Sequence, residues 1–485
     1  MKKVLIILLC LVFTLGFTAC GSGGSGDGGA TDEAAFDPAA LDETLTAVAQ
    51  RDDGKALAGL AVEAIKDGDV AYKFATGYRY IDPADASKNK DFTTDTKVRI
   101  ASVSKTFVAV GIMQLYEQGK IDLDADISEY LGFELRNPNY PDTPITCRML
   151  LSHTSSIFDG ETYAIAPEYS LKEFFTEGGM VYEEGGHFDA DHEPGTYFEY
   201  SNLGFGVLGT IIEAVSGERF DKYMTANILE PMGFTASFTP GDFDEETLDM
   251  VGAVYKKEHG DDGNALPDAE WKAEIDDYVN NTVEPDTCMV SNPDTAAGYE
   301  FFSLEGYEPG TNATCMSPQG GLRISADELA EWALMFANDG QANGNQILKK
   351  ETVDLMFTPQ WTWDGDEENG NGDPLYGLFQ QWGLGIQLIT NGMNGDYGDT
   401  FLDGKVIKNL GGHYGDAYGM FSIFFIDRDS DSGFVYICSG AECDLEEEPA
   451  YGQYSENWIW EEEIVTALYD TVLSDYVVEK ADSEE

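Results

Sequence analysis

Arg99-Ile100-Ala101-Ser102-Val103-Ser104-Lys105-Thr106-Phe107 leads into an apolar run that closes at Gly119. Val103, Phe107, Val110 and Leu115 recur near helical spacing, and Ile112, Met113 and Tyr116 widen the apolar face. Ser102 stands where a helix N-cap stands, and Gly119 is placed to end the helix. Lys105 follows Ser102 by three residues, one turn on and on the same face. A serine becomes a nucleophile beside a base, and a desolvated lysine can shed its proton at neutral pH. The helix start also offers backbone N–H groups to developing negative charge. Alone, Ser-x-x-Lys reads far more readily as a capped helix with a surface lysine, so the rest of the chain has to decide.

Two further elements tip that balance. Glu193-Pro194-Gly195-Thr196-Tyr197-Phe198-Glu199-Tyr200-Ser201-Asn202 runs into a second apolar helix, expected over Leu203 to Val215. A phenol beside a lysine, here Tyr200, can share its proton. The amide of Asn202 can hydrogen-bond a substrate carbonyl. Near the C-terminus, Gly411-Gly412-His413-Tyr414-Gly415-Asp416 precedes two expected strands, Phe421 to Ile426 and Phe434 to Cys438, joined by a polar turn. His413 and Gly415 are expected on or beside a sheet edge, where a glycine lets a substrate approach the backbone.

In this order the three elements resemble the serine β-lactamase and penicillin-binding-protein superfamily, nearest its class C β-lactamase-like branch, which includes D-amino-acid peptidases and esterases. The pattern of that branch is Ser-x-x-Lys, Tyr-x-Asn, then Lys-Thr-Gly or His-x-Gly. The matches are Ser102-Val103-Ser104-Lys105, Tyr200-Ser201-Asn202 and His413-Tyr414-Gly415. Leu150-Leu151-Ser152-His153-Thr154-Ser155-Ser156-Ile157 and Pro318-Gln319-Gly320-Gly321-Leu322, the latter ahead of a helix Ala326 to Ala337, are similar to flanking segments of the family. The resemblance covers roughly Asp42 to Ser439.

It implies an α+β fold: an antiparallel sheet flanked by helices, with an inserted helical and loop subdomain roughly over residues 120–310 and the active site between the two. The same order follows from the expected elements, since two early strands (Ala61 to Ile65 and Val70 to Gly77) precede the Ser102 helix and a strand pair and a last helix, Trp458 to Leu473, end the chain. It also implies covalent acyl transfer on an ester, D-amino-acid peptide or lactam carbonyl. Ser102 would attack, Lys105 and Tyr200 would accept its proton, and Asn202, His413 and Gly415 would meet the substrate. The backbone N–H groups of Ser102 and Asp416 would form the oxyanion hole, and no cofactor or metal is called for. An esterase or D-amino-acid peptidase is expected ahead of a true β-lactamase, because Asp416 fills a place usually Gly, Ser or Ala and would bring a carboxylate toward the oxyanion hole. Tyr414 and Ser156 also depart from the usual pattern. The alternative is a catalytically weak or inactive binding or scaffold lipoprotein of the same fold.

The N-terminus speaks to location. Lys2 and Lys3 precede an apolar run, Val4 to Phe17, that is short of the ~20 residues of a spanning helix. Phe17-Thr18-Ala19-Cys20 resembles a bacterial lipoprotein signal, with Cys20 becoming the lipidated first residue; a plain secretory peptide cleaved nearby is the other reading. The expected layout is a signal peptide over 1–19, a Gly/Ser-rich tether over 20–35, the hydrolase domain over 36–478 and an acidic tail over 479–485. The protein would be extracytoplasmic, held to the membrane through lipid, and acting on a small molecule or a peptidoglycan-like peptide.

The chain's 89 acidic against 28 basic residues give a net charge of −61. Such a chain cannot neutralise phosphates, which excludes nucleic acid as a partner. With 42% hydrophobic residues it has material for a large core. Cys147, Cys288, Cys315, Cys438 and Cys443 remain after the signal, and Cys438 with Cys443 or Cys288 with Cys315 are pairings the compartment permits. The stretch Lys257 to Ala297 reads as a loop-like, acidic insertion or lid, and Asp364 to Pro374 as a second acidic loop. His187 to Glu193 is dense in metal-ligand residue types but irregularly spaced, and reads as an acidic loop. Asp427 to Asp431 reads as a hairpin turn and His153 as a structural hydrogen-bonder.

Overall fold

The computed structural model describes residues 36–51, 56–182, 185–257, 270–291, 298–365, 369–370, 377–392, 398–441 and 452–480. The signal, Cys20, the tether, most of the Asp364 to Pro374 loop and Cys443 lie outside the described residues. The unit Asp37–Glu485 carries everything below.

In chain order, α1 (Pro38–Ala49) precedes β1 (Gly59–Lys66) and β2 (Asp69–Tyr80), joined by a tight turn. The short strands β3 (Lys90–Asp91) and β4 (Val98–Arg99) lead to α2 (Ser104–Glu117). Short helices fill the middle of the chain up to α3 (Asn202–Ser216) and beyond it, followed by β5 (Val254–Lys256), β6 (Lys272–Ile275), β7 (Thr287–Ser291) and β8 (Tyr299–Ser303). Then come β9 (Arg323–Ile324), α4 (Ala326–Ala337), β10 (Trp361–Thr362), β11 (Gln381–Trp382), β12 (Gln387–Leu388), β13 (Leu410–Ala417), β14 (Met420–Asp427), β15 (Ser432–Cys438) and α5 (Ile459–Tyr469).

Among the described residues, nine strands form an antiparallel sheet in the order β10-β11-β12-β13-β14-β15-β1-β2-β3. First and last strands thus meet at its centre, with Val62 opposite Tyr436. Side chains alternate across the sheet. On one face Phe424 stacks on Phe336 of α4 and Ser422 donates to the Ile100 carbonyl (2.8 Å). On the other, Phe421 packs edge-on against Trp458 and Trp460 at the start of α5. The expected antiparallel sheet with flanking helices is therefore present, and the expected strands fall inside longer ones.

Helix α2 is buried almost all round, as befits a helix at the centre of a large core. Its apolar face ends short of Tyr116, which is exposed. Ser102 is not the N-cap. A 3₁₀ turn, Ala101–Val103, runs directly into α2, so the position before the helix is Val103 and the Ser102 hydroxyl is left to other partners. Gly119 ends the helix at φ +68, as expected.

Where it is described, at residues 270–291, the insertion is more ordered than a loop. β6 pairs with β5, and β7 pairs with β8 over five residues. Asp276, next to β6, is buried among Arg99, Arg323 and the Tyr278 hydroxyl, and accepts from Arg323 at 2.6 and 3.0 Å. The two guanidiniums hold its carboxyl well below the usual range, so this ion cluster fastens the insertion to the β4–β9 pair behind Ser102. Cys288 and Cys315 are free thiols, not a bridge; Cys315 donates to the Asn312 carbonyl (3.2 Å). Cys147 and Cys438 are free and buried too.

Candidate active site

Ser102 sits between a strained residue and a buried helix. Ala101, immediately before it, holds φ +40, a conformation L-residues avoid outside sites that need it. Lys105 Nζ reaches Ser102 Oγ at 2.9 Å, Asn202 Oδ1 at 2.7 Å and the Gln319 carbonyl at 2.9 Å. All three protons of an ammonium would be used. Lys105 is fully buried, and burial pushes its pKa down to about 7 against a smaller upward pull from Asp159. Part of it is therefore neutral near pH 7, with a lone pair to accept the Ser102 proton.

Tyr200 completes the set. Its hydroxyl hydrogen-bonds Ser102, and burial raises its pKa, so it stays a neutral phenol. Its ring lies between His153 (centroids 4.3 Å apart, stacked) and Phe379 (5.3 Å, stacked), with the Lys105 ammonium 4.8 Å from its centroid. His153 accepts the Ser201 N–H through Nδ1 at 3.0 Å, which fixes the proton on Nε2. Burial, and then Lys105 and His413, hold this imidazole neutral. It steadies Tyr200 and the loop ahead of α3, as the reading of His153 as a structural hydrogen-bonder anticipates.

Asn202 has both ends of its amide engaged. Oδ1 accepts from Lys105, and Nδ2 donates to Asp159 at 2.7 Å. Ser201 caps α3, its side chain accepting from the Gly204 N–H. Asp159 also accepts the N–H groups of Asn202 (2.6 Å) and Leu203 (2.8 Å), at the positive end of the helix. It is the residue that sequence reasoning missed. It lies in a Phe-Asp-Gly turn with no motif spacing, and only the fold brings it to Asn202.

The third motif lies on β13, against the 3₁₀ turn of Ser102. His413 is buried. Nδ1–H donates to the Tyr414 carbonyl, Nε2 has no hydrogen-bond partner among the described residues, and the ring meets Trp382 edge-on at 5.3 Å. Burial and Lys105 push its pKa down to about 3, so it is neutral throughout the working range. Gly415 is required by a different approach from the one expected. A Cβ there would collide with the Ile100 carbonyl and the Ser422 hydroxyl, so it is the Ser102 loop, not a substrate, that comes close on that side.

Asp416 overturns the expectation of a carboxylate at the oxyanion hole. Gly415 and His413 point to the Ser102 face, so Tyr414 and Asp416 point to the opposite one, where Tyr414 packs on Phe425 and Asp416 pairs across from Phe421. Asp416 is solvent-exposed there, and Lys256 is the cation that bears on its carboxylate. The backbone behaves differently from the side chain. Ala417 and Met420 close the hairpin as a hydrogen-bonded pair, so Asp416 and Phe421 are the next, non-hydrogen-bonded pair. The Asp416 N–H therefore points away from β14. β12 pairs only with Gly411 and Gly412, which leaves the rest of β13 an edge beside Ser102. Ser102, Asn202, Gln319 and Asp416 line one small cavity of about 110 Å³.

The Beta-lactamase family profile matches residues 45–452. The chain belongs to the Beta-lactamase family. Curated relatives of this Beta-lactamase family member include Protein flp of Staphylococcus aureus (strain MRSA252), 28% identical over 40% of this chain and 38% of that one. Penicillin-binding protein 4* of Bacillus subtilis (strain 168) is 28% identical over 36% of each. The chain thus matches little more than a third of the length of these relatives. Among solved structures, the hydrolase EstCE1, described as having promiscuous acyltransferase activity, superposes at TM-score 0.59 with 19% identity, covering 89% of this chain and 99% of that one. The D-amino acid amidase from Ochrobactrum anthropi SV3 does so at 0.56 with 18% identity, covering 90% and 99%. The penicillin-binding protein homologue from Pyrococcus abyssi gives 0.57 with 20%, covering 90% and 78%. At these identities the likeness is one of fold.

Elsewhere, His192 pairs with Asp189 (2.5 Å) and stacks on Tyr197, and His187 bonds the Val181 carbonyl, so that acidic loop uses its imidazoles internally. Among the described residues, no group of metal-ligand side chains is assembled and no helix is long and apolar enough to cross a membrane.

Proposed function

We propose that this chain is an extracytoplasmic, lipid-anchored serine hydrolase that acts through an acyl-enzyme on Ser102. The observation that carries it is Lys105: a fully buried lysine whose pKa burial lowers toward neutrality, 2.9 Å from a serine hydroxyl that also meets a buried phenol. A structural lysine would be charged and paired with a carboxylate.

The sequence of events follows from the contacts. Neutral Lys105 takes the Ser102 proton as Oγ bonds to the carbonyl carbon. The oxyanion is met by the N–H groups of Ser102 and Asp416. Collapse breaks the bond to the leaving oxygen or nitrogen, which receives the proton from Lys105 through Tyr200. Water then attacks the ester and gives its proton to the same pair, which passes it to Ser102 Oγ as the C–Oγ bond breaks and the acid departs. Esters and D-amino-acid peptides or amides are favoured over cephalosporins. The strand position that carries lysine in Lys-Thr-Gly is here a neutral imidazole, which offers no cation to a β-lactam carboxylate. The anchor is supported by Lys2, Lys3, the short apolar run and Cys20.

A fluorophosphonate probe tests this reading. Label on Ser102 that is lost in Ser102→Ala, with nitrophenyl acetate turnover and poor cephalosporin turnover, is expected. A folded protein that takes no label belongs to the scaffold alternative.

A further inference from the structure

Three tyrosines beside Ser102 take no part in the acyl chemistry. Tyr163, Tyr299 and Tyr418 come from separate stretches of chain and line the same cavity as Ser102. Ile275 and Met289, both buried, supply apolar wall behind them. Tyr163 and Tyr418 leave 37% and 39% of their surface to solvent. Scattered exposed aromatics need no explanation, but three converging on one reactive hydroxyl do.

Tyr418 is the telling one. It is the first of two loop residues between β13 and β14, with φ +61, and Gly419 follows at φ +88. A two-residue hairpin with both φ values positive favours Asn, Asp or Gly at its first place. A bulky aromatic there is an outlier, and its ring is not repaid by burial. Backbone strain of this kind persists at ligand clamps, where the side chain is needed in that place.

We propose that Tyr163, Tyr299 and Tyr418 form an aromatic rim that holds a ring carried beside the scissile carbonyl, so that the preferred substrates are aryl or arylalkyl esters or amides. This rests on the serine-hydrolase reading above. Phenol and substrate rings meet edge-on or offset, and each such contact is worth roughly a 2- to 10-fold preference.

Two ester series test it: methyl acetate against methyl phenylacetate, and methyl acetate against benzyl acetate. In one of them kcat/KM is expected to favour the ring by at least about tenfold. Tyr163→Leu, Tyr299→Leu and Tyr418→Gly should each lower that ratio, and Tyr418→Gly should do so with an unchanged or higher melting temperature, because glycine relieves the turn. A ratio near one in both series, or a ratio untouched in all three variants, overturns the rim. So does a preference for acetylcholine over its neutral 3,3-dimethylbutyl analogue, which would make the rim a cation site. If nothing is turned over and Ser102 takes no probe, the hydrolase reading fails separately. Calorimetry on Ser102→Ala then decides the rim by itself: tighter binding of phenylacetamide than of acetamide supports it, and equal binding overturns it.

Discussion

Lys105 does two things with one perturbed proton. As the base it must be neutral, so kcat/KM should rise with pH through about 7, the value to which burial lowers it. The same shift enters stability. Between about 7 and the ordinary 10.5 the unfolded chain binds a proton that the folded one does not, so Lys105 makes stability rise with pH in that window. Lys105→Met should abolish turnover and remove that slope, measured by denaturant unfolding at pH 6 and 9. Asp159→Asn probes the neighbour. Losing the carboxylate lets the Lys105 pKa fall further, so the acid limb of the pH profile should move down by a measurable fraction of a unit. Turnover should also drop by roughly 10-fold as Asn202 loses its anchor. An unmoved limb would show that Asp159 only caps the helix. Ser102, Lys105, Tyr200 and Asn202 were legible because short-range spacing and residue chemistry announce them. Asp159, His153 as a support for Tyr200, and the Gln319 carbonyl were not, because tertiary packing alone makes them neighbours.

At the scale of elements, β13 matters as much as any side chain. Its alternation sends His413 and Gly415 toward Ser102, and Asp416 away. That parity was readable from the sequence once a strand was assigned, since a residue two places from Tyr414 shares its face. Reading the four residues as a motif, without the period of the strand, led to the misplaced carboxylate. The Ser102 position differs from an N-cap for a related reason, because local pattern does not distinguish a 3₁₀ turn from a cap. Gly415→Ala should show how closely strand and turn must fit. The added methyl has to push β13 from the Ile100 carbonyl, at a cost of about 1–3 kcal/mol. Displacing one oxyanion donor should lower kcat by roughly 10²-fold. Asp416→Ala keeps the backbone donor and should leave kcat within about threefold, as kinetics on the purified variant would read.

Across the whole molecule, burial acts on carboxyls in the opposite sense to Lys105. Glu63 on β1 is pushed up to about 9, and Glu213 and Glu461 to about 7, each chiefly by burial. Between their ordinary values and these, the folded state holds protons that the unfolded one has lost, so stability falls as pH rises through 5 to 9. Mutual repulsion within a chain of net charge −61 acts in the same direction. The melting temperature should therefore be higher at pH 5.5 than at pH 8, and added salt should narrow the gap by screening the repulsion. The same charge sets a limit to that gain, because it also keeps copies of the chain apart. At neutral pH every approaching copy brings the same large negative charge. Near the sequence pI of about 4.1 that barrier vanishes. Light scattering should then report self-association that begins as the protein is titrated toward pH 4.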